Sequence, residues 1–241
     1  MEIKVCNNYE EMSLAAAQIV AEQLKEKPNS ILGLATGSTP IGTYKELIKM
    51  YNEGVIDFKD VVSYNLDEYY PISETNDQSY RYFMNENLFK HVNIDMKNTN
   101  VPDGMASDPV GFGLNYDKTI EEAGGIDLQI LGIGQNGHIG FNEPEETLYV
   151  ETHLTDLTAN TIEANSRFFE KIEDVPTKAI TMGLGTIMKA KKIIILANGK
   201  SKSSIIKKLV NGGITTNVPA SILKVHTNVI LICDKEAYSE V

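Results

Sequence analysis

Short, unbroken apolar runs alternate along the chain with longer stretches in which apolar positions recur every three or four residues. The runs at 3–5, 31–35, 61–66, 128–133, 179–182, 193–197 and 229–233 mostly lack polar alternation, the pattern of parallel strands covered on both faces. The stretches between them carry helix start and stop signals. Asn8 with Glu11 three residues later has the form of a capping box, and Met12, Ala16, Ile19, Val20 and Leu24 follow at helical spacing. Pro40 stands where a first helical residue would, ahead of Tyr44, Leu47 and Ile48. Asp108-Pro109 opens a further helix, which Gly124-Gly125 stops. Residues 200–210 read as another, closed by Gly212-Gly213. Strand–helix alternation of this kind predicts an α/β fold: an open, mostly parallel sheet with helices on both faces. No linker rich in Pro, Gly or Ser interrupts it, so residues 1–241 are read as one domain.

Composition narrows the classes. Hydrophobic residues make up 42% and charged residues 23%, ordinary for a soluble globular chain and incompatible with wholesale disorder. Acidic residues outnumber basic ones, 33 to 22, for a net charge of −11. Such a chain is repelled by nucleic acid and by anionic membrane surfaces, so neither is expected as a partner. An anionic substrate must then be held by a few local cations and backbone N–H groups. The apolar runs fall far short of the roughly 20 residues of a spanning helix, and the start MEIKVCNNYEE lacks the basic and apolar regions of a secretory signal. Cys6 and Cys233 form no CxxC pair and read as core fillers in a reducing, cytoplasmic setting.

Ligands of open α/β sheets collect beyond the carboxyl ends of the strands. After the run at 31–35 come Thr36, Gly37, Ser38, Thr39 and Pro40, small and hydroxylated residues ahead of a helix, suited either to cradle an anion or to make a tight capped turn. The segment falls short of a nucleotide-triphosphate loop because Thr43, not Lys, follows Gly42. After 61–66 comes Asp67, a candidate general base, although turns also favour Asp. After 128–133 a glycine-rich loop carries Asn136, His138, Asn142 and Glu143, and an imidazole near a carboxylate can shuttle protons near neutral pH. Gly132, Gly134 and Gly137 spell GxGxxG, but Gly140 and Pro144 break the helix that dinucleotide binding requires. With 4 His and no metal-ligand spacing, no metal site is expected. Arg167 and Lys202 are candidate cations, or ordinary surface charges.

The segments LGLATGSTPIGTY, NLDEYY, LGIGQNGHIGFNEP, ANSRFF and GKSK, in this order over essentially the whole chain, resemble the glucosamine-6-phosphate deaminases. The resemblance implies a modified doubly wound, Rossmann-like fold and no cofactor. It also implies hydrolytic conversion of glucosamine 6-phosphate and water to fructose 6-phosphate and ammonia, in amino-sugar catabolism. Carried over by motif, Asp67 is the enolisation base, and His138 serves ring opening with Asn136 and Glu143. Thr36, Gly37, Ser38, Thr39, Arg167 and Lys202 hold the substrate phosphate. Two departures stand out. Many relatives have Asp where Asn136 stands. The stretch 145–153 carries Glu145, Glu146 and Glu151 in place of a basic segment that serves an effector site in longer relatives, so activation by N-acetylglucosamine 6-phosphate is not expected. The nearest rival is a 6-phosphogluconolactonase-like esterase, followed by a non-catalytic sugar-phosphate sensor. The sequence leaves a homo-oligomer open, as well as the choice between glucosamine and galactosamine 6-phosphates.

Overall fold

A computed structural model of the protein describes residues 1–166, 169, 171 and 174–241. Its strands are β1 (Glu2–Cys6), β2 (Ile31–Leu34), β3 (Val62–Asn65), β4 (Asp67–Tyr70), β5 (Thr99–Asn100), β6 (Leu128–Gly132), β7 (His153–Asp156), β8 (Lys178–Thr181), β9 (Lys192–Ala197) and β10 (Val229–Asp234). Its α-helices are α1 (Tyr9–Glu26), α2 (Ile41–Asn52), α3 (Tyr80–Asn87), α4 (Pro109–Glu122), α5 (Ala159–Ser166), α6 (Leu184–Met188) and α7 (Ser203–Asn211).

Seven strands form one sheet in the order β1-β10-β9-β6-β2-β3-β5, and every pairing in it is parallel. From β2 the chain steps outward to β3 and β5. It then returns to β6 on the other side of β2 and steps outward again to β9 and β10. Right-handed crossovers turn these two directions into opposite faces, with α1 and α2 on one and α4 and α7 on the other. The reversal lies between β2 and β6, and a crevice opens beyond the carboxyl ends of strands at such a point. Apolar runs without alternation are explained by this layering: Leu128, Ile130, Leu131, Ile193, Ile194, Ile195 and Leu231 are wholly buried, each contributing ~1.5–3 kcal/mol relative to exposure.

The run at 179–182 departs from the expected parallel sheet. As β8 it is the middle strand of a second sheet, β4-β8-β7, antiparallel on both sides. β4 starts just past the end of β3, so the chain turns at Leu66 and carries Asp67 into this second sheet. Tyr69, Ile72, Phe141, Leu157 and Ala179 bury a small core of their own beneath it. Two end signals also differ in detail. Asn8 caps α1 by accepting from Glu11 N (2.9 Å), but Glu11 reaches back to Asn7 rather than to Asn8. Pro40 is the cap of α2 rather than its first helical residue.

Candidate active site

The loop after β6 is tied into a compact turn: Gly134 N donates to His138 O (2.9 Å) and Gly137 N to Gly134 O (3.0 Å), with Gly137 in the left-handed region at φ +93°. His138 lies directly over Gly134. A Cβ at Gly134 would stand 2.3 Å from the ring Cε1 and 2.5 Å from Nδ1, so only glycine leaves room for the imidazole. Glu143, 4% exposed, collects the polar groups of this loop. Its Oε2 accepts from Asn136 Nδ2 (2.5 Å) and pairs with His138 Nδ1 (3.2 Å), and its Oε1 accepts from Thr161 Oγ1 (2.5 Å). Burial pushes the Glu143 carboxyl upward, but the hydrogen bond and charge of His138 together with Thr161 and Asn136 outweigh it and hold the group at about 2. An ionised carboxylate only accepts, so His138 donates to it through Nδ1, and Nε2 is the ring nitrogen that Glu143 does not engage. Asn136 also accepts from His138 N (3.2 Å), locking the loop around the ring. Asn142 donates to Ile139 O and Met182 O (both 2.9 Å), pinning the loop to the chain just past β8.

Asp67 approaches from the other sheet. It is opposite Thr181 in the β4–β8 register, and Thr181 Oγ1 accepts from Phe141 N (3.0 Å), which joins this sheet to the His138 loop. Gly140, at φ +58°, fits the junction: a Cβ there would meet Thr181 Oγ1 at 2.8 Å and Asp67 Oδ2 at 3.5 Å. The Asp67 side chain is buried, 6% exposed, and among the described residues nothing donates to its carboxylate. Burial, reinforced by the neighbouring Glu68, pushes Asp67 up to about 8. Glu68 accepts from Tyr69 N (2.9 Å), and from Tyr80 N (2.9 Å) and Arg81 N (3.0 Å) at the first turn of α3, yet burial outweighs these donors and pushes it up to about 7. Asp67 is therefore a desolvated carboxyl with a free lone pair, the form of a general base.

The loop after β2 forms the third wall. Gly37 adopts φ +92°, Ser38 is exposed and Thr36 half-buried, and Thr39 Oγ1 donates to Asn198 Oδ1 (3.0 Å), just past β9. Lys202, in the turn before α7, donates to Ile133 O (2.6 Å) at the root of the His138 loop. Loops after β2, β6 and β9 thus meet at one end of the sheet. A cavity of about 320 Å³ opens beside the first, lined by Tyr9, Ser38, Ile41, Gly42, Lys45 and Asn198. Arg167 lies outside the described residues. Sequence reasoning missed Thr161, which fixes Glu143 from 18 residues away, and Glu68, which ties β4 to α3. Glu68 stands in LDEYY, but its partners at 80 and 81 are visible only in the fold.

Comparisons with known proteins bear on the family and the fold. Residues 7–231 match the family model described as glucosamine-6-phosphate isomerases/6-phosphogluconolactonase. The glucosamine-6-phosphate deaminase of Clostridium perfringens (strain 13 / Type A) is 59% identical over 237 residues, 98% of either chain. A solved structure of a monomeric glucosamine-6-phosphate deaminase superposes with a TM-score of 0.98 at 41% identity, over 100% of both chains. The 6-phosphogluconolactonase of Trypanosoma cruzi, at 18% identity and a TM-score of 0.78 over 100% of this chain and 96% of its own, shares the fold alone. A seven-stranded parallel sheet, the loops at its carboxyl end and a match spanning nearly the whole chain lead to one conclusion: the chain belongs to the glucosamine-6-phosphate isomerase/6-phosphogluconolactonase family.

Proposed function

We propose that the protein is a glucosamine-6-phosphate deaminase, a hydrolase that converts glucosamine 6-phosphate and water to fructose 6-phosphate and ammonia, working as a single domain in the cytoplasm. The observation that carries this reading is the juxtaposition of a buried carboxyl, Asp67, which has no donor among the described residues, with the loop that carries His138. An aldose–ketose rearrangement needs two such groups, one for oxygen-bound protons and one for carbon-bound protons.

His138 takes the O1 proton of the pyranose and returns it to the ring oxygen. The C1–O5 bond breaks as C1–O1 becomes a carbonyl. Glu143 stabilises the imidazolium formed on the way, and Asn136 keeps the ring and carboxylate aligned. Asp67 then removes the proton from C2, giving an enolamine, and C1 is protonated to leave an imine at C2. Water adds to C2 and ammonia departs, so the net change is one water taken up and one C–N bond cleaved. Each general acid–base step is worth ~10²–10⁴-fold. The substrate's ammonium group beside Asp67 favours the ionised carboxylate, which offsets its raised proton affinity once substrate is bound.

The phosphate is assigned to Thr36, Gly37, Ser38 and Thr39 at the start of α2, with Lys202 and Arg167 as cations. A helix start with exposed N–H and hydroxyl donors favours an anion. Holding the phosphate away from the reacting carbons supplies orientation. Lys202→Ala should raise KM about 10-fold or more, the worth of a charge-assisted contact. The reading itself is tested by incubating the protein with glucosamine 6-phosphate and measuring ammonia and fructose 6-phosphate. Equal release of both is expected. Hydrolysis of 6-phosphogluconolactone with no ammonia from the amino sugar would overturn it.

A further inference from the structure

The phosphate loop leaves β2 and enters α2 through residues of which Gly37 and Ser38 are exposed and Gly37 is in a left-handed conformation. A segment of this kind does not hold one shape on its own, because its backbone N–H groups have no ladder or helix to pair with. Two tyrosine hydroxyls grip its ends. At the strand exit the hydroxyl of Tyr44, wholly buried on α2, donates to Ala35 O (2.6 Å) and accepts from Ala35 N (3.2 Å). At the helix entry the hydroxyl of Tyr9, the first residue of α1, donates to Ser38 O (3.1 Å) and accepts from Gly42 N (2.7 Å). The Tyr9 ring is close against α2. A Cβ on Gly42 would stand 3.0 Å from Tyr9 Cε1 and 2.2 Å from Ser13 Oγ, so the absence of a side chain at Gly42 lets the hydroxyl reach the backbone.

We infer that Tyr9 and Tyr44 are positioning residues, whose hydroxyls hold the loop between them in its anion-binding shape before substrate arrives. This rests on the reading of the loop as the phosphate site. Neither tyrosine need touch the sugar. Each spends both hydrogen-bonding functions of its hydroxyl on backbone groups at one end of the loop, and Thr36, Gly37 and Ser38 lie between the two grips with no acceptor for their donors among the described residues. A loop ordered in advance loses less conformational entropy on binding, and that saving appears as affinity. Because phosphate is held alike in the ground and transition states, loosening the loop acts on KM and leaves kcat in place.

The test is Tyr9→Phe in the full chain, with inorganic phosphate as the probe ligand. Tyr9 is only half-buried, and the variant keeps the ring, so folding is retained; thermal unfolding checks this. Loss of one hydroxyl with two partners should raise KM for glucosamine 6-phosphate and the inhibition constant of inorganic phosphate together, by about 3- to 10-fold, with kcat within about two-fold. Tyr44→Phe should show the same split at the other end, together with a lower Tm because Ala35 N and O are buried. Unchanged KM and phosphate inhibition in both variants would overturn the inference, as would a fall in kcat at constant KM. Failure of the phosphate reading looks different: inorganic phosphate would then not compete in the parent enzyme, and Lys202→Ala would leave KM unchanged.

Discussion

At the amino end of the seven-stranded sheet Asp127, just before β6, is 4% exposed. It accepts from Lys27 Nζ (2.6 Å), Lys191 Nζ (2.7 Å) and Ile31 N (2.8 Å). At the carboxyl end Asp67 is equally buried and has no donor among the described residues. For Asp127 the effect of burial is outweighed by the two lysines and the Ile31 N–H, and its carboxyl is held below the usual range. For Asp67 burial goes unopposed and Glu68 adds to it. Glu143 shows that the end of the sheet is not what decides: it lies in the site, yet with His138, Thr161 and Asn136 around it the group sits at about 2. What separates Asp127 and Glu143 from Asp67 is side-chain donors, lysines in one case and an imidazole, a hydroxyl and an amide in the other; backbone donors alone do not offset burial, since Glu68 accepts three N–H bonds and still stands at about 7.

The largest effect expected from breaking this contrast is on Asp67. Asp67→Asn keeps the shape and removes the basicity, so turnover should fall by ~10² or more with little change in KM. Gly134→Ala comes next. Its methyl would occupy the place of the His138 ring and push the imidazole out of line with Glu143. A displacement near 1 Å costs roughly 10²-fold, so kcat should drop by about 10- to 100-fold while Tm changes little. Asp127→Asn reverses the pattern. It should lower stability by about 1–2 kcal/mol, since the lysines are partly exposed and screened, and leave kcat within about two-fold.

Stability against pH sharpens the same comparison. Between about pH 4, where Asp67 titrates in the unfolded chain, and about 8, where it titrates in the folded one, the folded state holds a proton that the unfolded state has lost. Stability therefore falls as pH rises through that window. Glu143 has the opposite sign. Its contribution is complete above its unfolded value near 4.5 and is lost as pH falls toward about 2. Thermal unfolding of the parent and of Asp67→Asn from pH 5 to pH 9 should show the parent losing ground to the variant as pH climbs toward about 8 and no further loss beyond it. The smallest effect is expected from N-acetylglucosamine 6-phosphate. With Glu145, Glu146 and Glu151 along 145–153, and His153 stacked on Tyr149 at 4.4 Å, an effector phosphate meets repulsion. Initial rates in glucosamine 6-phosphate should stay hyperbolic with or without it, because an effector that does not bind at 145–153 supplies no coupling free energy from there.

The six strands of the large sheet longer than two residues were legible because each falls on a short, mostly apolar run, although β1 carries Lys4 and β3 carries Ser63 and Asn65, and α1, α2 and α4 because Asn8, Pro40 and Asp108 announce them. β4, β5 and β7 were not. They are short and rich in polar or aromatic residues, and pairing with distant partners, not local pattern, makes them strands. In the site, the His138–Glu143 pair was within reach of sequence reasoning because its members stand five residues apart on one loop. Asp67 could be named as a base, but its desolvation arises from β4 joining β8 and from Gly140 closing over it, long-range events with no local signal. The Tyr9 and Tyr44 contacts with the loop between β2 and α2 were hidden likewise, as they depend on how α1 and α2 pack.

The account depends most on the state of one carboxyl group. Titrating the substrate-free protein labelled with ¹³C at aspartate carboxyls, with Asp67→Asn spectra to assign the signal, measures it directly. A resonance that titrates near about 8 and is absent from the variant is the predicted result. An Asp67 signal that titrates in the ordinary range, near about 4, would contradict the account.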